Sequence, residues 1–272
     1  MERNIKGNRI VIKIGTSSLI NPDGSLNRDS IQKLSDVLCE LKMQGKEVVL
    51  VSSGAIGVGM GRVGLKDRPT TISGQQAVAA VGQGELIGIY ERFFAKYQIS
   101  VAQLLLTRDV LLFPQSKKNV SNAFQELLQM NVIPIVNEND TVSVDELDHE
   151  TKFGDNDQLS AIVAKVIDAD LLIMLSDIDG FYSANPNEDE NAKLFSKVSR
   201  VDHSLINAAG GKGTKFGTGG MVTKLKAAKR ILDNNQQMIL ANGSDPDIIF
   251  DILKGQDIGT WFTNTESTEM EG

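Results

Sequence analysis

Apolar runs of strand length recur from one end of this chain to the other, and most of the intervening stretches carry helical spacing. The runs cover residues 10–14, 47–51, 100–106, 132–136, 171–175 and 237–240. Strands buried on both faces read as continuous apolar stretches, and parallel neighbours need long crossovers, usually helices. Such a chain is constrained to an alternating α/β fold built on a mainly parallel sheet.

The clearest crossover helix follows the first run. Asn27 is a good cap and Asp29 suits the positive end. Ile31, Leu34, Leu38 and Leu41 make one apolar stripe, and Gly45 stops the helix. Cys39 lies beside that stripe as a core or boundary residue. Residues 74–97 read as a long helix despite Gly82, Gly84 and Gly88. Each glycine costs roughly 1 kcal/mol relative to alanine, so close approach of another helix or a subunit is the expected compensation, with a bend as the alternative. Residues 141–153 suggest a hairpin or flap, and 183–193 an exposed excursion. Ser244 or Asp245 caps a short helix opened by Pro246, before 258–262 returns as a terminal strand. These elements fit one domain over residues 1–263 with a polar tail, 264–272, better than two independent folds.

Composition removes several function classes. With 35 acidic against 28 basic residues, the formal charge of −7 gives nucleic acid or an anionic membrane no broad electrostatic reason to bind. One cysteine rules out a disulfide framework, and with only His149 and His203 a conventional zinc centre would need carboxylates for most ligands. No apolar run is long enough to cross a bilayer, and the N-terminal residues carry no apolar leader, so a cytoplasmic location is expected.

Anion-handling elements sit at the strand ends. Lys13 closes the first strand, where Gly15 and Thr16 let backbone amides approach a ligand. Ser52, Ser53 and Gly54 form a polar turn before a helix whose free N–H groups point back at it. Gly59, Gly61 and Gly64 match G-x-G-x-x-G but begin after that turn, which argues against a dinucleotide site, and no complete P-loop motif is present. From Gly213 to Leu225 a glycine- and threonine-rich loop leads into a helix bearing Lys224 in its early part. A lysine there is unfavourable alone, so an anion nearby would explain it.

Two polar clusters lie between these elements. Asn137, Glu138, Asn139 and Asp140 follow one strand, while Asp155, Asn156 and Asp157 open a helix. Asn156 or Asp155 can be the helix cap. Asp140 can receive an ammonium group, Asn137 and Asn156 can donate to a carboxylate, and Asp157 can hold lysines in place. Ser176 and Asp177 end another strand where a nucleotide would lie, with Asp179 and Gly180 building the turn. Asp177 is also a candidate for water-mediated Mg²⁺ binding.

The segments IVIKIGTSSL, VSSGAIGVG, IPIVNENDTV, FGDNDQLSA, LLIMLSDIDGFY and GTGGMVTKLKAA, in this order from residue 10 to about 230, resemble the amino acid kinase superfamily. Within it they resemble most the branch acting on the side-chain carboxylate of L-glutamate. The resemblance implies a three-layer α/β/α sandwich and ATP-dependent formation of L-glutamyl 5-phosphate, the first step of proline biosynthesis, with Mg²⁺. It assigns Ser53, Asp140 and Asn156 to the acceptor, beside Gly54 and Asn137 from the polar turn and cluster above. Gly15, Ser176, Asp177, Thr218, Gly219, Gly220, Met221, Val222 and Thr223 go to ATP, together with Lys13 and Lys224. Those two lysines would stabilise the transfer, organised by Asp157. The resemblance further implies feedback inhibition by proline and a homo-oligomer, dimer or tetramer. Many bacterial members carry an RNA-modification-like PUA domain after the kinase domain, for which this chain leaves no room. Other carboxylate or carbamate kinases of the superfamily, and a non-catalytic amino-acid or ATP sensor, are the competing readings.

Overall fold

In the computed structural model, which describes residues 3–21, 23–107, 113–142, 156–186, 188–209 and 220–264, every expected strand enters one sheet. The strands are β1 (Arg9–Ile14), β2 (Glu47–Ser52), β3 (Val101–Leu106), β4 (Ile133–Glu138), β5 (Leu171–Ser176), β6 (Lys197–Val198), β7 (Gln237–Asn242) and β8 (Thr260–Phe262). Their spatial order is β3-β4-β2-β1-β5-β7-β8-β6. From β3 to β7 all neighbours are parallel. Only β8 turns antiparallel, against β7, and β6 joins it at the edge.

The described helices are α1 (Thr16–Leu19), α2 (Arg28–Met43), α3 (Ala55–Val63), α4 (Ile72–Ala95), α5 (Pro114–Gln129), α6 (Asn156–Val166), α7 (His203–Ala209), α8 (Met221–Leu232) and α9 (Ile248–Leu253). They divide between the sheet's faces according to side-chain alternation. Ile10, Ile12 and Ile14 pack in one core with Leu34 of α2, Leu86 of α4 and Ile249 of α9. Val11 and Val49 point the other way, into a second core with Phe124 of α5, Leu159 of α6 and Leu225 of α8. The result is the α/β/α sandwich. Because β2 and β5 lie on opposite sides of β1, the strand order reverses there and opens a crevice at the carboxyl ends of β1 and β5.

Local signals are mostly realised. Asn27 accepts a hydrogen bond from the Ser30 amide at 3.1 Å, the α2 stripe is fully buried, and Gly45 takes φ +81° beyond the helix end. Cys39 is buried in the core, where burial and Asp36 push its thiol up to about 12. The long helix begins two residues earlier than its spacing suggests, because Thr71 caps it through the Gly74 amide at 3.1 Å. Gly82 lies against α3 so closely that an added Cβ would stand 1.7 Å from the Ala55 carbonyl oxygen. Gly59 of α3 meets the Val78 carbonyl in the same way. The compensation expected for these glycines is therefore a packed helix at Gly82, while Gly84 faces open space.

Two ends differ from expectation. Residues 245–247 form a turn in which Asp245 accepts the Asp247 amide at 3.2 Å, so α9 starts at Ile248 instead of beside Pro246. Ile258 and Gly259 belong to the backbone that receives Arg3, and β8 keeps only Thr260–Phe262. The 183–193 excursion is mostly exposed and is closed at its base by Ser183 and Lys193, paired at 2.9 Å in both directions. Expectations placed on Asp155, Thr218, Gly219, residues 143–153 and the tail from 265 lie outside the described residues.

Candidate active site

Alternation along β1 decides what Lys13 meets. It shares the face of Val11, so its side chain turns toward α6 and α8 at the crevice. There its Nζ lies 2.6 Å from Oδ1 of Asp157, the second residue of α6. Lys224, the fourth residue of α8, brings its Nζ to 3.2 Å from Oδ2 of the same carboxylate. Three elements distant in sequence thus converge on one buried charge. Asp157 has no exposed surface, while Lys13 and Lys224 keep 7% and 5% of theirs.

Burial alone would raise the Asp157 carboxyl, since a low-dielectric interior disfavours its charged form. The ammonium groups of Lys13 and Lys224, with hydrogen bonds from Lys13 and Thr223, outweigh that effect and hold it below the usual carboxylate range. The group is an anion between two cations, leaving the cluster net positive. This also resolves the awkward position of Lys224 near a helix N-terminus, because the neighbouring helix supplies the anion.

Asn156, one residue before Asp157, serves the other side of the crevice. Its amide nitrogen lies 3.1 Å from the Ser52 carbonyl, 2.8 Å from Ser53 Oγ and 2.9 Å from Asn137 Oδ1. The ends of β2, β4 and α6 are joined by this one side chain. Gly54 turns the chain at φ +95° so that α3 begins immediately behind the cluster. Asp140 is half-buried in the turn after β4.

On the β5 side, Ser176 is buried and donates to Asp177 Oδ1 at 3.0 Å, while Asp177 is exposed. Gly15 precedes α1, and the first atom of a side chain there would lie 3.6 Å from Lys13 Nζ. Gly220, Met221, Val222 and Thr223 lead into α8, all half-buried. Among the described residues no three acidic, histidine or cysteine side chains group as a metal cage.

Two contributors escape sequence reasoning. Gln158 donates from Nε2 to the Thr223 carbonyl at 2.8 Å, bracing α6 against α8. Tyr90, fully buried in α4, pairs its hydroxyl with Ser52 Oγ at 3.0 Å behind the polar turn, and burial raises its phenol well above the ordinary value. Neither carries a local signal, since one reads as a helix-surface glutamine and the other as part of an apolar stripe. A cavity of about 350 Å³, lined by Arg200, His203, Lys229 and Asp233, lies at the far end of α8, roughly 12 Å along the helix from Lys224. It belongs to a different edge of the molecule.

A model of the amino acid kinase family matches residues 8–242. The chain belongs to that family. Among its relatives, the glutamate 5-kinase of Lactiplantibacillus plantarum is 62% identical over 260 residues, covering 96% of this chain and 98% of that protein. The glutamate 5-kinase of Listeria monocytogenes (serovar 1/2a) is 57% identical, covering 97% and 96%. The fold is shared with UMP kinase from Bacillus anthracis, with a TM-score of 0.63 at 14% identity over 96% of this chain and 97% of the other. It is also shared with the isopentenyl phosphate kinase of T. acidophilum, with a TM-score of 0.59 at 18% identity over 93% and 99%. These two likenesses concern architecture. Among the described residues, no helix is long and apolar enough to cross a membrane.

Proposed function

We propose that this chain transfers the terminal phosphoryl group of ATP to the side-chain carboxylate of L-glutamate, giving ADP and L-glutamyl 5-phosphate, the first step of proline biosynthesis. The observation that carries the reading is the buried Lys13–Asp157–Lys224 cluster at the crevice of an amino acid kinase fold. The identity of the acceptor is supported by the extensive likeness to glutamate 5-kinases.

The chemistry matches the residues. A glutamate side chain, with a reference pKa near 4.3, is already ionised at neutral pH and needs no general base. Repulsion between that anion and the ATP phosphates is the obstacle, together with in-line alignment. Lys13 and Lys224 supply positive charge that is already oriented by Asp157, so little reorganisation accompanies the transfer. An ammonium carries three N–H donors, so pairing with a carboxylate oxygen does not use up its hydrogen-bonding capacity.

In this reading Ser53, Gly54, Asn137, Asp140 and Asn156 hold glutamate. ATP lies over Gly15, Ser176, Asp177 and the segment 218–224. Mg²⁺ would arrive on the nucleotide phosphates, the ion's common habit in such sites, and contribute charge neutralisation there. Asp157 is committed to the lysines, so it orients them instead of ligating the metal. Proline inhibition and a dimeric or tetrameric assembly complete the proposal on the family resemblance, and a proline titration with a light-scattering mass would check them.

The deciding experiment measures ADP release with L-glutamate, N-acetylglutamate, aspartate, carbamate and UMP, with hydroxylamine present to trap an acyl phosphate. Glutamate-dependent ADP formation matched by hydroxamate supports the proposal. ATP binding without acceptor-dependent ADP would overturn it in favour of a sensor, and turnover with another acceptor would reassign the substrate.

A further inference from the structure

Thr223 does not sit as a nucleotide-contacting threonine would be expected to sit. Its hydroxyl lies 2.9 Å from Asp157 Oδ2, the oxygen that also faces Lys224, and 2.7 Å from the Gly220 carbonyl. One hydroxyl proton therefore faces two acceptors. A threonine near the start of a helix ordinarily bonds back to the carbonyl three residues earlier, which here is Gly220. Against it stands an ionised carboxylate, a charged and hence stronger acceptor that cannot itself donate.

Both contacts are in place, and the ionised carboxylate is the stronger acceptor although the Gly220 carbonyl lies closer, at 2.7 Å against 2.9 Å. Asp157 pairs with Lys13 at Oδ1 and accepts from Lys224 and Thr223 at Oδ2, and the Gly220 carbonyl also receives the Thr223 amide at 3.0 Å, so it does not depend on the hydroxyl. Thr223 is in turn held from behind, through Gln158 Nε2 on its own carbonyl. Asp157 and Gln158 are adjacent on α6, and Thr223 and Lys224 are adjacent on α8. The two helices are thereby joined by side chain to side chain and by side chain to backbone around one residue.

We infer that Thr223 is a positioning residue: its hydroxyl orients the Asp157 carboxylate so that Lys13 and Lys224 are presented together to the transferred phosphoryl group, with Gln158 fixing Thr223 for the purpose. This rests on the phosphoryl-transfer reading above, leaves the Thr223 backbone in the ATP-facing segment, and reassigns its hydroxyl alone. The reason for a hydroxyl is geometric. Two flexible ammonium groups can each swing around a carboxylate, whereas a short β-branched side chain on a helix backbone has few rotamers and sets the plane of the acceptor.

The test compares Thr223→Val, which keeps shape and removes the donor, with Thr223→Ser, which keeps the donor. Full-length variants are assayed with ATP and glutamate beside wild type. A charge-assisted hydrogen bond lost from the oriented cluster should lower kcat by tenfold or more in Thr223→Val. KM for ATP should stay within about twofold, and Thr223→Ser should retain most of the wild-type kcat. Gln158→Leu should lower kcat less, and the double variant should fall no further than Thr223→Val alone, because both act through one contact.

A raised KM for ATP at unchanged kcat in Thr223→Val would overturn the inference and return the hydroxyl to the nucleotide. So would wild-type kinetics in that variant, or additive losses in the double variant. Should Thr223→Val fail to fold by circular dichroism, the kcat of Thr223→Ser and Gln158→Leu decides alone: equal losses in both, or none in Gln158→Leu, contradict the assignment. Wild-type turnover of glutamate in the same assay reports separately on the reading beneath it.

Discussion

A buried carboxylate between two lysines is stable only while all three charges are present. Removing one partner from such a group typically costs 3–5 kcal/mol, because the remaining charges stay desolvated. Asp157→Asn should therefore lower stability by about 3 kcal/mol in urea titrations and reduce turnover together with it. The pH dependence has a definite sign. Asp157 sits below its ordinary value of 3.8 in the folded protein, so the unfolded chain binds a proton there more readily. Its contribution is complete above that ordinary value and is lost as pH falls through the lower folded value. The stability gap between wild type and Asp157→Asn should accordingly hold steady near neutrality and narrow below about pH 3.8, as read from urea midpoints. Lys13→Ala and Lys224→Ala should each depress kcat at least a hundredfold with little change in the KM for glutamate, since their contacts strengthen as charge shifts in the transition state. Equal turnover in Lys13→Ala and wild type would remove it from the mechanism.

Elements place these residues through simple periodicities. Alternation in β1 sends Lys13 to the α6 and α8 face while Ile12 and Ile14 fill the opposite core. In β2, Ser52 turns to the other face and finds Tyr90 of α4. The glycines of α4 divide by surroundings, which yields a paired prediction. Gly82→Ala would drive a Cβ to 1.7 Å from the Ala55 carbonyl, forcing α3 and α4 apart, and should destabilise by more than 2 kcal/mol. Gly84→Ala meets open space and should stabilise through helix propensity, raising the melting temperature by about 2 °C. Matching thermal melts for the two variants would contradict the packing described here.

At the scale of the whole molecule, the chain's two ends are locked together. Arg3 is buried and donates to the carbonyls of Ile258, Ser196 and Gly259 at 2.6, 2.9 and 2.8 Å, and also pairs with Asp257. The half-buried residues Ile258 and Gly259 would lose the donor to their carbonyls in Arg3→Ala, while the Ser196 carbonyl keeps the Trp261 amide, so a loss of about 2 kcal/mol is expected, most of it from backbone acceptors because Asp257 is half-exposed. Kinetic constants should hardly move, since this clamp lies on the edge formed by β8 and β6. A variant that unfolds at the wild-type urea midpoint would show the clamp to be idle.

The positions of every strand but the two-residue edge strand β6, the α2 stripe with its Asn27 cap, and the candidacy of Lys13, Asn156, Asp157 and Lys224 were legible in the amino-acid order. Each rests on local patterns: apolar runs, helical repeats, and polar residues placed where a strand or helix must end. Lys13 and Lys224, 211 positions apart, could be marked individually as anion-handling residues on that basis. What only the tertiary structure decided is that one buried carboxylate joins them, that Thr223 turns its hydroxyl to that carboxylate, and that Gln158 and Tyr90 support the site from behind. Those facts depend on which strand ends and helix faces meet across the crevice, and no local pattern encodes a contact between elements that are neighbours only after the sheet has formed.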